Sequence, residues 1–416
     1  MSFEQLGLSA ALLRSVSELN YRAPTPVQQA AIGAILQGRD VRACAQTGSG
    51  KTAAFALPLL QRLAAQQPHT PRPLRALVLV PTRELAAQIG EALRSYATHL
   101  QPPLKTVTVF GGVSINPQMM ALRGGADIVV ATPGRLLDLV ANNALRLDAV
   151  QSLVLDEADR LLDLGFADEL AQIARQLPPR RQNLLFSATF PQEVTQLAAA
   201  LLHDPLLIDI AATPATAPPI LQRAIAVDAG RRTQLLRHLI EQHGWRQTLV
   251  FVATRHAAKH VAEKMRRAGI DTAALHGDQS QFERTQTLKD FKAGRFPLLI
   301  ATDVAARGID IAELPAVVNY DLPRSTTDYL HRIGRTGRAG ETGVAISFVS
   351  ADSEAHFRLI EKRHTQRLPR EVIAGFEPTE VVVDSAPGSG GIKGRRKSKK
   401  DKLREAAAAA AETERR

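Results

Sequence analysis

The feature that most constrains this chain is a strand–helix alternation that stops and then starts again. ALVLV (76–80), ADIVVAT (126–132), SLVLD (152–156) and NLLFSAT (183–189) are short apolar runs without polar alternation, separated by helical patterns such as 83–97. Strands of that composition have both faces covered, which a parallel sheet between helices requires. At 211–219 the rhythm breaks in AATPATAPP, a segment poor in charge and rich in Pro and Ala that reads as an extended linker. The alternation then returns in TLVFVAT (248–254), TAALHG (272–277), PLLIATD (297–303), AVVNYD (316–321) and GVAISFV (343–349). The expected fold class is α/β, with domains over 1–210 and 220–375. A chain of 416 residues is too long for one ordinary core and suits two. No residue-level repeat links the halves, so any kinship is expected in their structure.

Residues 376–416 have a different texture. APGSGGIKGRRKSKKDK is Gly/Ser-rich and then basic, with too little apolar content to fold alone. The alanine-rich end has the propensity of a frayed helix. The formal net charge of +11 favours a polyanionic partner. The stretch 393–404 holds eight Lys and Arg against Asp401, so a basic tail on a neutral enzyme accounts for part of that charge. Cys44 is the one cysteine, which rules out an intrachain disulfide or a cysteine-based metal site, and its apolar setting suits a small buried strand residue. MSFEQLGLSA lacks the basic-then-apolar order of a signal peptide, and no run of 18 apolar residues occurs. A cytoplasmic location with no membrane association is expected.

AQTGSGKT (45–52) follows a strand-like run and opens a helical pattern, the context a phosphate loop needs. Gly48 and Gly50 let backbone N–H groups converge on phosphate oxygens. Gln46, Thr47 and Ser49 complete the loop. Lys51 is placed for the β- and γ-phosphates, and Thr52 offers a hydroxyl to Mg²⁺ at a helix N-terminus. Ala45 stands where the strict pattern has Gly. DEAD (156–159) closes the apolar run SLVL, at the edge of a sheet where α/β proteins bind ligands. Asp156 is placed to hold magnesium and Glu157 to orient or deprotonate the attacking water. The plainer alternative, an acidic pair capping a helix, is weak directly after four apolar strand residues. In HRIGRTGR (331–338), Arg335 and Arg338 carry planar guanidinium groups suited to the spread charge of a phosphoryl-transfer transition state.

With these motifs in this order, the chain resembles the DEAD-box ATP-dependent RNA helicases of superfamily 2 over residues 1 to about 375. NLLFSATF, the linker and the short basic tail are similar to the bacterial RhlE-like branch. The resemblance implies two tandem RecA-like domains, with ATP and Mg²⁺ as cofactors. It maps the adenine-reading Q motif onto Phe3 and NYRAPTPVQ (20–28), so that Phe3 stacks on the base, Gln28 bonds its edge, Thr25 links that loop to the phosphate loop, and Arg22 belongs to the same site. Phe3 as a core residue is the alternative. Asn20 replaces the family's usual Gly and tolerates left-handed backbone angles. The resemblance also makes Arg335 and Arg338 arginine fingers, gives Asp310 a ribose contact, and has His331, Ser187 and Thr189 couple hydrolysis to domain movement.

Polar and glycine segments without a nucleotide role stand at predicted strand ends: Pro81, Thr82 and Arg83; Gly111 and Gly112; Thr132, Pro133 and Arg135; Thr254 and Arg255; Gln281 and Arg284; Thr302. Small hydroxyls, bare backbone and single arginines grip phosphates and sugars. By resemblance they form one RNA track across both domains, although singly each also suits a capped helix start, Thr82 and Thr132 above all. Aromatics at 4% argue against a base-stacking platform, so little sequence preference is expected. The implied activity is RNA-stimulated ATP hydrolysis by a monomer, with local unwinding, and with ribosome-assembly or RNA-decay proteins as partner classes. A DNA-directed superfamily 2 helicase and an ATP-gated RNA clamp are the rivals. The second needs a lost catalytic residue, and Lys51, Glu157, Arg335 and Arg338 are all present.

Overall fold

The computed structural model describes residues 2–45, 48–67, 69–210, 220–306, 314–337, 343–364 and 366–380. The segment 211–219 and most of the basic tail lie outside them.

Seven strands build the first sheet: β1 (Val41–Cys44), β2 (Ala76–Leu79), β3 (Thr106–Val109), β4 (Ile128–Ala131), β5 (Ser152–Leu155), β6 (Gln182–Ser187) and β7 (Leu206–Asp209). Seven more build the second: β8 (Leu221–Ala226), β9 (Thr248–Val252), β10 (Thr272–Leu275), β11 (Leu298–Thr302), β12 (Ala316–Asn319), β13 (Val344–Val349) and β14 (Arg370–Glu371). Every pairing within them is parallel. Their orders are β3-β4-β2-β5-β6-β1-β7 and β10-β11-β9-β12-β13-β8-β14, which is one order used twice. The kinship that residues do not show is therefore complete in the topology.

Both sheets are covered on both faces. Along β2, Ala76 and Val78 enter one apolar cluster while Leu77 and Leu79 enter the other. Along β9, Val250 and Val252 face one cluster, and Leu249 and Phe251 face another. The helix Lys51–Ala64 lies against the first sheet, where Phe55 packs on Phe186 with ring centroids 5.4 Å apart. Cys44 is half-buried on β1, its thiol 3.5 Å from the Ala188 carbonyl. Among the described residues no helix is long and apolar enough to cross a membrane.

Because all strands run the same way, the loops after them gather on one edge of each sheet. On the first sheet, neighbouring strands β3, β4 and β2 lead into 110–112, 132–135 and 80–83, while β5, β6 and β1 lead into 156–159, 188–189 and 45–50. The edge is thus divided into two halves with different chemistry. The corresponding strands β10, β11 and β9 carry the polar segments of the second sheet, and β12 leads toward His331 and Arg335.

Candidate active site

A cavity of about 720 Å³ opens between the two lobes. The first lobe contributes Thr25, Gln28, Gly48, Gly50, Lys51, Thr52, Asp156 and Glu157 to its wall, and the second contributes Lys292 and Arg335. Gly50 sits at φ +89°, a left-handed angle that L side chains rarely adopt. A methyl at that position would run into Gln28 Nε2 and come within 2.9 Å of Thr25 Oγ1. Only glycine lets these loops approach so closely.

The loops are joined by Gln28. Its Oε1 accepts the Thr25 N–H at 3.0 Å and its Nε2 donates to the Gly50 carbonyl at 3.1 Å. The link to the phosphate loop expected of Thr25 is therefore made by Gln28 itself, while Thr25 Oγ1 is buried with no hydrogen-bond partner. Phe3 also differs from expectation. It is 6% exposed in the core, stacked behind Tyr21 at a centroid distance of 6.4 Å, and Tyr21 and Tyr96 are the aromatics on the cavity wall. Tyr21 is 39% exposed and its hydroxyl lies 2.9 Å from that of Tyr96. An aromatic one residue after Asn20 was visible in the sequence, but nothing in periodicity separates a core aromatic from a wall aromatic. Arg22 is exposed and does not line the cavity. Asn20 does take the left-handed angle, at φ 59°.

Lys51 is buried and its Nζ has no hydrogen-bond partner. An ammonium left that way is costly unless an anion meets it. Asp156 is fully enclosed beside it and accepts the Glu157 N–H at 2.9 Å. Burial above all, helped by repulsion from Glu157 and Asp159 and opposed by Lys51, pushes its carboxyl up to about 6. A bare cradle, an unmet cation and a carboxylate short of a counter-charge are together what a phosphate chain with its magnesium satisfies. The residues present fit both groups.

Glu157 takes φ 52°, an uncommon angle for a side chain of its size, and stands just before the helix Ala158–Asp163 without a side-chain hydrogen bond to it. Its Oε2 is buried without a hydrogen-bond partner, 3.7 Å from a guanidinium nitrogen of Arg160. Asp159 ties the segment Ser187–Thr189 in place. Its carboxylate accepts the Thr189 N–H at 3.0 Å and hydroxyl at 2.8 Å, its own N–H donates to Ser187 Oγ at 3.1 Å, and Ser187 donates onward to the Thr189 carbonyl at 2.7 Å.

Side-chain contacts between the lobes include an arginine–histidine bond and an arginine–glutamate pair. Arg160 Nε donates to His331 Nδ1 at 3.0 Å, and Arg284 Nη2 meets Glu84 Oε1 at 2.7 Å. Arg160, directly after DEAD, carried no sequence signal of its own, because its partner lies 171 positions away. Arg335 is buried on the cavity wall. Gln46, Thr47, Asp310 and Arg338 lie outside the described residues.

Of the residues expected on an RNA track, several have local partners. Thr82 and Thr254 cap helices by accepting from Leu85 and Ala257 N–H at 3.3 and 3.0 Å. Thr132 accepts the Gly111 N–H at 3.4 Å, joining two of the segments. Arg135 donates to the Val113 carbonyl at 2.8 Å, and Arg255 pairs with Asp278. Gly112 is at φ +78° with Arg83 against it. Pro81 and Pro133 are buried at their strand ends, Thr302 ends β11 nearly enclosed, and Gln281 Oε1 is buried without a partner. Arg284 departs from expectation: it is 2% exposed and committed to Glu84 and, at 3.3 Å, to the Ala305 carbonyl.

Comparisons with known proteins bear on the family. The model described as DEAD/DEAH box helicase matches residues 25–197, and that described as helicase conserved C-terminal domain matches 231–340. The chain is 40% identical to the DEAD-box ATP-dependent RNA helicase RhpA of Helicobacter pylori, over 91% of this chain and 74% of RhpA. It is 42% identical to the ATP-dependent RNA helicase DeaD of Mycobacterium tuberculosis, over 88% of this chain but only 64% of DeaD, so it spans a little under two thirds of that relative. Among solved structures, Saccharomyces cerevisiae Dbp5 bound to RNA and ADP BeF3 superposes with a TM-score of 0.78 at 32% identity, covering 89% of this chain and 95% of Dbp5. From its motifs, its two sheets and these relatives, the chain belongs to the DEAD-box RNA helicase family.

Proposed function

We propose that this chain is an RNA-stimulated ATPase that couples closure of its two lobes to local, non-processive opening of short RNA duplexes or remodelling of RNA–protein complexes. One observation carries this: the cavity is walled by Lys51, Asp156 and Glu157 from one lobe and by Arg335 from the other, so the hydrolytic site is complete only when the lobes meet. The likeness to Dbp5 with RNA and ADP BeF3, which extends over both lobes, supports taking this arrangement as the closed one.

In the mechanism that follows, the backbone around Gly48 and Gly50 cradles the phosphate chain and Lys51 meets its β- and γ-oxygens. Asp156 and Thr52 would hold magnesium, which would supply charge that neutralises the phosphate chain. Glu157 orients the attacking water and takes its proton. Arg335 enters with the second lobe and stabilises the charge of the transferred phosphoryl group, with Arg338 as the second finger and Asp310 on the ribose; such fingers are worth ~10³–10⁵ in rate. Tyr21 is the aromatic placed to stack on the base. Ser187 and Thr189, tied to Asp159, and His331, tied to Arg160, connect the water-activating loop to lobe movement.

RNA would lie along the other half of each edge, over Pro81–Arg83, Gly111, Gly112, Thr132–Arg135, Thr254, Arg255, Gln281 and Thr302. Backbone and hydroxyl groups dominate there, so sequence preference is low. ATP and RNA each favour closure and so tighten each other's binding. Opening a few base pairs at ~1.4 kcal/mol each costs roughly 5 kcal/mol, within the reach of a full domain closure. A cytoplasmic monomer of the RhlE-like branch is the form proposed.

The test is ATP turnover by the intact chain with and without single-stranded RNA, and with DNA of the same sequence. Stimulation by RNA alone is expected, with release of duplexes of about one helical turn. Equal stimulation by DNA, or none by RNA, ends this reading.

A further inference from the structure

We propose that Arg160 is a positioning residue that transmits lobe closure to Glu157. The inference rests on the proposed ATPase function and adds a residue to it. Arg160 does not line the nucleotide cavity; it is buried behind it, on the seam between the lobes, beside Asp303, Asp328, His331, Arg332 and Arg335. Of those, Asp303 is already committed to Arg332 by two contacts of 2.6 and 2.7 Å. Its carboxylate is therefore not the partner that holds Arg160.

The geometry of a guanidinium makes Arg160 a rigid two-ended part. Its Nε donates to His331 Nδ1 at 3.0 Å, which requires the imidazole tautomer with an unprotonated Nδ1. Because the group is planar, fixing Nε also fixes the direction of the remaining nitrogens. One of them, Nη1, then faces Glu157 Oε2 at 3.7 Å. Neither of these two atoms has a hydrogen-bond partner, and both are buried. Opposite charges so close in a dry setting attract strongly without being locked together. The carboxylate is thus drawn to one orientation while still free to bond a water.

When the lobes separate, His331 leaves and Nε loses its acceptor. The guanidinium is then free to rotate, and Glu157 loses the neighbour that orients it. Closure is in this way read twice at the hydrolytic site. Arg335 delivers charge to the phosphate, and Arg160 aligns the group that handles the water.

The experiment uses the full chain and the substitutions Arg160→Ala, Arg160→Lys, His331→Ala, His331→Asn, His331→Gln and the Arg160→Ala/His331→Ala double. Steady-state RNA-stimulated turnover gives kcat and the KM for ATP. Energy transfer between dyes on the two lobes, with the β,γ-imido analogue of ATP and single-stranded RNA, gives closure without hydrolysis. Arg160→Ala is expected to lower kcat by about 10- to 100-fold, the scale of a small misplacement, with the KM for ATP within about twofold. Its half-point for RNA-driven closure should move by less than about threefold, so the loss in turnover exceeds the loss in closure. Lysine should not rescue, since one ammonium cannot hold His331 and face Glu157 together. The double variant should be no worse than the poorer single within about twofold, because both break one path. Asparagine at 331 places its oxygen near the site of Nδ1 and should retain more turnover than glutamine.

A kcat that survives Arg160→Ala, losses that multiply in the double, a closure defect as large as the turnover defect, or glutamine matching asparagine at 331 would each overturn the proposal. Wild-type chain that closes but shows no RNA-stimulated turnover would instead sink the ATPase reading. The two failures are therefore distinguishable.

Discussion

Arg284 of the second lobe reaches Glu84 of the first at 2.7 Å, with 2% and 8% of their side chains exposed. Arg83 Nε lies 3.2 Å from the same Glu84 oxygen, so one carboxylate at the end of β2 gathers two guanidinium groups. The pair joins the lobes on the half of the edge away from the phosphates. Because it spans both lobes, separating them would break it, and it makes their approach sensitive to a contact that lies outside the nucleotide cavity.

Removing one member of this pair strands a buried charge. Glu84→Leu is expected to destabilise the closed form by ~3–5 kcal/mol, while Glu84→Leu with Arg284→Met recovers most of that, since an apolar pair needs no compensation. Lobe-to-lobe energy transfer under nucleotide and RNA measures both. If the double variant stays as open as the single, the pair is not what holds the seam.

Gly50 tolerates no side chain. Gly50→Ala combines a left-handed φ of +89° with a clash against Gln28 and is expected to weaken ATP binding about tenfold or more, from ~1–3 kcal/mol of strain. Titration with a fluorescent ATP analogue checks this, and an unchanged Kd would show that the loop relaxes freely.

Asp156, the proposed magnesium ligand, is expected to make metal binding depend on pH. Burial, with Glu157 and Asp159 adding to it, lifts its folded carboxyl from 3.8 to about 6. Without metal, the folded lobe then keeps a proton that the unfolded chain releases, so stability falls as pH rises from about 4 to about 6 and levels off above, by on the order of 3 kcal/mol. Magnesium needs the ionised form, so magnesium–nucleotide affinity should hold above about pH 6 and fall about tenfold per pH unit below it. Calorimetric titrations between pH 5 and 7.5, with metal-free melts alongside, give both slopes; a flat magnesium profile would exclude Asp156 as the group that titrates.

Phe186 fills the first core against Phe55. Phe186→Ala is expected to cost ~3–5 kcal/mol and to lower the melting temperature of that lobe by roughly 6–20 °C. Calorimetry of the intact chain would show the first-lobe transition moving alone. A shift shared equally by both lobes would mean that they unfold as one unit.

Buried strands announced themselves in the sequence. β2, β4, β5, β6, β9, β11 and β12 are continuous apolar runs because helices cover both of their faces. β3, β7, β8 and β14 gave no such run. β3 alternates buried and half-buried residues at one edge, β7 lies at the other half-exposed, β14 has two residues, and β8 begins with an exposed Leu221. The phosphate loop and the DEAD run were legible because each is contiguous. Arg284, Arg160 and Tyr21 were not, since their roles depend on partners supplied by distant strands. A residue type and a spacing place a guanidinium at a strand end, and only the packing decides whether it meets solvent or Glu84.

One strand order used twice means that the turn after β8 occupies the station that the phosphate loop occupies after β1. Asp228 stands at that station, and its carboxylate receives the N–H groups of Thr379 and Glu380 and the Thr379 hydroxyl, at 2.7 to 3.0 Å. An anion seated there turns away the polyphosphate that its twin welcomes. The berth that the duplicated architecture offers in the second lobe is thereby taken by the chain's own backbone.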